Sequence, residues 1–317
     1  MKVGYFLSCE EYGPDDLVEQ AVLAEQAGFS GLWISDHYHP WNDEQGQSPF
    51  VWSVIGAISQ ACSLPVTTAV TCPTVRQHPA IVAQAAATSA VLLGGRFILG
   101  VGTGEALNEH ILGDPWPHAA RRLEMLEEAV ALIRELWTGE VVSHYGEHYT
   151  VDTARIYTRP EEPPPIYVSA FGPKALDLAA RIGDGFMTTM PDGDSVAEFK
   201  RLKGDDRAPT MAGLKVAFAD SAEEGLDHAH RLWANSGVPG ELSQVLPSPQ
   251  HFEQASTLVT RESTGESVVC GNDAGEHREA FTPFAQAGFD EVFVANMGPR
   301  WREMIEFYGQ EVLPQVT

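Results

Sequence analysis

Apolar runs punctuate the chain at residues 3–7, 32–35, 66–70, 97–101, 166–170, 185–189, 214–218 and 291–295, and their length and composition read as buried strands. Between them lie residues 14–28, 79–93, 119–137, 173–182, 221–235 and 275–287, most with apolar residues at helical spacing. Strands alternating with helices form a parallel sheet. Eight of them suit a closed (β/α)8 TIM barrel, an α/β fold, better than the alternative of an open doubly wound sheet. No internal repeat and no Ser/Gly-rich linker divides the chain, so residues 1–317 read as one domain. Three stretches, near 42–49, 145–165 and 236–270, read as insertions, and the Ser, Gly and Pro content of the last argues against regular structure there.

A barrel carries its chemistry at the carboxyl ends of its strands. After the first run come Ser8, Cys9 and Glu10; after the second, in SDHYHPW, come Asp36, His37, His39 and Trp41. The fourth run leads into GVGTGEALNE, with Thr103, Gly104, Glu105 and Asn108. An imidazole beside acidic groups at such a mouth is suited to take a proton from a hydroxyl, which makes His37 the candidate base. His39 reads as a loop residue bonded to the backbone. The His-x-His spacing also raises a metal-dependent hydrolase. The later strand ends supply Ser169, Thr188, Thr189 and Asn296, no imidazole or carboxylate among them, so no metal site is expected. In GVGTGEALNE, Glu105 stands where a dinucleotide fingerprint needs its third glycine. The glycines still permit a flat ring to approach the backbone, with Glu105 and Asn108 facing its polar edge. The turn Ser169-Ala170-Phe171-Gly172-Pro173-Lys174 opens a helix whose free amides and Lys174 suit a phosphate.

Charge narrows the partners: 44 acidic against 20 basic residues give a net charge of -24, which repels nucleic acid and anionic lipid. The apolar stretch in MKVGYFLSCEEYG is too short for a signal peptide or membrane helix, so a cytoplasmic protein with small-molecule substrates is expected. Cys9, Cys62, Cys72 and Cys270 are scattered without a Cys-x-x-Cys, indicating neither a disulfide framework nor a zinc knuckle.

With SDHYHPW and GVGTGEALNE together, the sequence resembles the luciferase-like oxidoreductases that use the deazaflavin coenzyme F420, in the branch containing the F420-dependent glucose-6-phosphate dehydrogenases. CPTVRQHPAIVAQ, ELWTGE and RIGDGF support the likeness, which covers nearly the whole chain. The resemblance implies His37 as active-site base, Glu105 as the acid toward the reduced ring, Trp41 as a wall of the reacting face and Glu10 as an acidic residue near the substrate. It implies cofactor contacts at Asp36, Thr103, Gly104, Asn108, Gly172, Lys174, Ala175 and Thr189. Cys72 and Phe171 fall at two further such positions, where the dehydrogenase has Thr and Gly. A bulge with a non-proline cis peptide is implied at Ala69-Val70, beside the ring, and a homodimer is usual in the family.

The expected reaction is hydride transfer between coenzyme F420 and an alcohol or unphosphorylated sugar. The alternatives are an FMN-dependent luciferase-like monooxygenase, a glucose-6-phosphate dehydrogenase with a rearranged phosphate site, and a binding protein without catalysis. Alignment with the sugar-phosphate branch puts Asp192, Ser243 and Ser267 where that branch has two lysines and an arginine, and Gln244 where it has a histidine. A phosphate dianion needs cationic partners, so these replacements argue against a phosphorylated substrate.

Overall fold

In this computed structural model, which describes residues 1–316, eight strands run parallel: β1 (Lys2–Leu7), β2 (Leu32–Ile34), β3 (Val66–Thr68), β4 (Phe97–Val101), β5 (Ile166–Ser169), β6 (Gly185–Thr188), β7 (Thr210–Ala217) and β8 (Glu291–Asn296). Each pairs with the next, and β8 pairs with β1, so the sheet closes as the expected TIM barrel. The two-residue strand Val269–Cys270 adds to the edge of β7. Helices Pro14–Ala27, Val51–Ala61, Pro79–Leu92, Ala119–Trp137, Pro173–Ile182, Gly193–Lys203 and Ala222–Trp233 connect strands along the outside.

The differences from the sequence reading have local causes. β7 starts four residues before the expected 214, because Gly213 interrupts the apolar run without breaking the ladder to β8. β3 ends at Thr68, just before the peptide Ala69-Val70, which is cis. The single helix expected over 275–287 is two, Ala274–Glu279 and Thr282–Ala287, since Pro283 lacks the amide to continue the first and suits the start of the second. Residues 236–270 are not irregular but hold three short helices, Leu242–Val245, Pro249–Ser256 and Arg261–Gly265. Their polar residues start helices: Pro249 opens the second, and Thr260 Oγ1 caps the third by accepting from the Ser263 amide at 3.1 Å. The 145–165 stretch begins in an antiparallel hairpin, Val142–Tyr145 against Thr150–Ala154.

Two apolar layers result. The larger fills the space between barrel and helices, with Leu7, Ile34, Ile55, Val82, Leu99, Ile133, Phe186 and Val292 fully buried. The smaller, inside the barrel, is Trp33, Tyr167, Met187, Met211 and Phe293, with the Trp33 and Phe293 rings stacked at 4.6 Å. This inner layer plugs the barrel and leaves space only above it, at the strands' carboxyl ends.

Gly100 shows how tight the wall is. Thr68 Oγ1 donates to the Gly100 carbonyl at 2.8 Å and accepts from its amide at 3.0 Å, and a Cβ on Gly100 would overlap the Thr68 carbonyl oxygen. Gly100→Ala should therefore cost about 3 kcal/mol or more, since backbone cannot move aside as a side chain can. Urea denaturation checks this, and a loss under about 0.5 kcal/mol would contradict the packing described.

Candidate active site

Above the inner plug lies a cavity of about 520 Å³, and the ends of β1, β2 and β4 bring three ionisable side chains together in it. His37 Nε2 is 3.3 Å from Glu10 Oε1 and 3.5 Å from Glu105 Oε1. Glu10 is buried, and its other oxygen accepts from Ser35 Oγ at 2.6 Å and Ser8 Oγ at 2.9 Å. Those hydroxyls leave Oε1 aimed at the imidazole. His37 Nδ1 lies 3.1 Å from the His39 carbonyl, so a hydrogen on Nδ1 has an acceptor and Nε2 is the nitrogen left to take a proton. Asn108 fixes the other side: its Oδ1 accepts from the amides of Tyr38 and His39, and its Nδ2 donates to Glu105 Oε1 at 2.8 Å and lies 3.1 Å from His37 Nδ1. The Trp41 ring sits 4.9 Å from that of His37, centroid to centroid. His39 and His110 bond to the carbonyls of Leu107 and Ala106, as loop residues do.

The rest of the cavity suits a flat ring. Ala69 and Val70 line it beside Cys72, while Thr103 and Gly104 follow β4. Gly104 has φ 76°, a conformation that favours glycine, and a Cβ on Gly102 would come within 2.7 Å of the Val70 side chain. Phe171 and Thr189, just after β5 and β6, close another side.

Of the other residues expected to contact a cofactor, Asp36 and Asn108 stand behind this lining. Asp36 is buried, with Oδ1 on Arg76 Nη2 at 2.9 Å and Oδ2 accepting from Thr71 Oγ1 and Gln77 Nε2 at 2.8 and 2.7 Å. Its carboxylate is thus engaged with protein. Gly172, Lys174 and Ala175 stand at the start of the Pro173–Ile182 helix and do not line the cavity; Lys174 borders a shallow hollow with Glu124, Glu127 and Arg181.

The sequence reading missed several residues. Arg76 pairs with both Asp36 and Glu109, and burial opposes its charge but the two carboxylates outweigh it and hold the guanidinium above its ordinary range. Burial pushes Glu109 up to about 7 against the pull of Arg76. Trp233, its Nε1 donating to Glu11, and Lys215 also line the cavity. For Lys215 a signal existed, a charge inside an apolar strand run. Asp192, which replaces a phosphate-binding lysine in the alignment, caps the Gly193–Lys203 helix, accepting from the amides of Asp194 and Ser195 at 3.0 and 3.2 Å. Ser243 and Gln244 line the cavity, whereas Ser267 does not.

Comparison with known proteins accords with this geometry. A family model described as luciferase-like monooxygenase matches residues 1–291. The F420-dependent glucose-6-phosphate dehydrogenases of Nakamurella multipartita and Microbacterium testaceum are 36% and 34% identical to this chain, aligned over all of it and over 96% and 97% of their own lengths. Among solved structures, an F420-dependent secondary alcohol dehydrogenase in complex with an F420-acetone adduct superposes with a TM-score of 0.92 at 32% identity, covering all of this chain and 99% of that one.

Glu11, which holds Trp233 at the cavity wall, provides a pH test. Burial raises its carboxyl to about 7, although the Trp233 and Tyr12 hydrogen bonds pull the other way. The folded protein therefore keeps a proton that the unfolded chain releases above about 4.5. This stabilisation is full below that pH, declines through 7 and is absent above it. Glu11→Gln keeps the acceptor for Trp233 but removes the titration. The variant's stability should fall less than the wild type's between pH 4.5 and 8, by about 3 kcal/mol. Denaturation curves at the two pH values measure the difference, and parallel losses would refute the assignment.

Proposed function

This chain belongs to the luciferase-like monooxygenase family, and we propose that it is a dehydrogenase that transfers hydride between coenzyme F420 and an alcohol or unphosphorylated sugar. The observation that carries the proposal is His37 Nε2 set between the carboxylates of Glu10 and Glu105, in a cavity walled by Trp41 and the Ala69-Val70 peptide. The names of the similar dehydrogenases support the cofactor, and Val70 packed against Gly102 leaves a wall free of protruding side chains on which a flat ring can lie. When bound, F420 supplies the hydride chemistry.

The chain's own residues supply the proton chemistry and the alignment. We assign the His37–Glu10 pair to receive the hydroxyl proton, with Ser8 and Ser35 keeping Glu10 directed at the imidazole. Glu105, tied to Asn108, is assigned to proton exchange at the ring's polar edge. Trp41 walls the reacting face, and holding these groups within one cavity removes the entropic cost of bringing them together. Asp36, Thr103, Gly104, Asn108, Phe171, Thr189 and Cys72 are proposed as cofactor contacts, Asp36 through its backbone. Gly172, Lys174 and Ala175 are proposed to receive an anionic tail at the outer rim. We further propose that residues 1–317 act as one domain, that the protein is a homodimer in the cytoplasm, and that it binds neither nucleic acid nor membrane. Light scattering at micromolar concentration tests the dimer, and a monomer mass would refute it.

His37→Ala should lower turnover by roughly 100- to 10,000-fold with F420 affinity nearly unchanged. Turnover close to wild type with chemistry rate-limiting would move the base elsewhere. Titration with F420 and with FMN separates the dehydrogenase from the monooxygenase, and micromolar binding of FMN without binding of F420 would overturn the proposal.

Selectivity against glucose 6-phosphate follows from Asp192, Ser243 and Ser267, which present no cation. Charge-assisted hydrogen bonds contribute about 1.5–3 kcal/mol each, and Asp192 reverses the sign of the charge as well. Turnover with glucose 6-phosphate should not exceed that with glucose or simple alcohols by more than about tenfold, a factor equal to roughly 1.4 kcal/mol. A larger preference would reveal a phosphate site elsewhere.

A further inference from the structure

Among the residues lining the cavity, Lys215 is the only lysine or arginine. It stands on β7 opposite Ala295 of β8, two residues beyond Gly213, which packs near Trp33 and Thr189 on the inner plug. Its place on the inward face of the strand puts it on the cavity wall rather than on the rim. Among the described residues no hydrogen bond or ion pair engages it, although the cavity also holds Glu10 and Glu105. Two arginines that touch residues around the cavity are already committed, Arg122 to Gln244 and the Pro117 carbonyl, Arg76 to Asp36 and Glu109. An ammonium left inside a cavity without a counter-charge is costly unless a ligand completes it.

We infer that Lys215 is an anion subsite on the cavity wall, which pairs with an anionic oxygen carried into the cavity by a bound ligand. Two sources have this chemistry: the ionised ring hydroxyl of the deazaflavin, and a carboxylate next to the carbinol carbon of the substrate. The inference rests on the proposed cofactor in its first form and not in its second. It is compatible with poor recognition of glucose 6-phosphate, in which the phosphate lies at the opposite end of the sugar from the reacting carbon. Burial alone depresses the ammonium's titration, with no carboxylate opposing it, which accords with a cation that lacks a partner in the free protein.

The sequence has few lysines, Lys2, Lys174, Lys200, Lys203 and Lys215, so 15N-lysine labelling gives a readable side-chain spectrum, with Lys215 identified by the signal lost in Lys215→Met. Its Nζ is titrated in the free protein, with F420, with lactate and with 2-propanol, a pair of alcohols that differ by a carboxylate in place of a methyl group. An anionic partner should raise the Lys215 pKa by one unit or more, and 2-propanol should leave it unchanged. A rise with F420, accompanied by a shift of the bound cofactor's hydroxyl ionisation to higher pH in Lys215→Met, identifies the ring oxygen. A rise with lactate alone, with lactate binding weakened about tenfold or more in Lys215→Met while 2-propanol is unaffected, identifies the substrate. If neither ligand moves Lys215, the subsite is refuted. Failure of F420 to bind, seen in its own absorbance, would refute the cofactor reading separately, and the lactate titration of the free protein would still decide the role of Lys215.

Discussion

The loops that carry His37 and Glu105 depend on one buried charge network. Arg76, in the loop after β3, holds Asp36 after β2 through Nη2 at 2.9 Å and Glu109 after β4 through Nε at 3.4 Å and its backbone amide at 2.9 Å. Three desolvated charges are expensive, and removing one partner of such a pair costs about 3–5 kcal/mol. The arrangement is tolerable because almost every lone pair is used: Thr71 and Gln77 complete Asp36, and the Arg76 amide completes Glu109. His37 follows Asp36 directly, and Glu105 and Asn108 lie within a turn of Glu109. Fixing the three loops against one another therefore fixes His37 relative to Glu105, and Ser35, next to Asp36, ties Glu10 to the same frame.

The barrel was legible because each strand is a short continuous apolar run, set apart from the stretches with helical spacing between them. Legibility failed where polar residues build structure. Thr260 and Pro249 start helices in a stretch whose composition resembles loop, and Pro283 splits a helix that periodicity alone would continue. In the site, His37, Glu105, Trp41 and Glu10 were legible as cavity residues because each follows a strand, at the end of the barrel where the cavity lies. Arg76 and Glu109 escaped attention because their role is defined only by partners from other loops. Lys215 escaped for the opposite reason: it lies inside a strand, whereas only the residues after each strand were searched for chemistry.

The cavity divides its charge along the barrel's geometry. Strands β1, β2 and β4 carry the carboxylates and the imidazole, while β7, which pairs with β6 and β8 on the other side of the closed sheet, carries the ammonium. With a net charge of -24, long-range attraction does not bring an anionic ligand to this protein. Any such ligand is held by short-range contacts inside a partly desolvated cavity, where a single cation contributes more than it would on the surface. The walls around it are anchored in the same manner: Trp233 by Glu11, Gln244 by Arg122, each a lining side chain with one fixed polar partner.

This separation places reaction and selectivity on different parts of the sequence. The groups proposed for proton transfer come from strand ends that the barrel hydrogen bonds hold, and little can change there without moving the Arg76 network. The opposite wall is built from β7 and from the 236–270 segment, whose short helices pack on the barrel through small clusters such as Ala234, Val238 and Val259. Such a segment tolerates substitution at modest energetic cost, because it lies outside the main core and its backbone bonds are local. The strand-end cluster can thus stay fixed while the wall around Ser243 and Gln244 varies. The substrate is therefore to be sought in the chemistry of that wall, where one ammonium faces an otherwise neutral, partly aromatic surface.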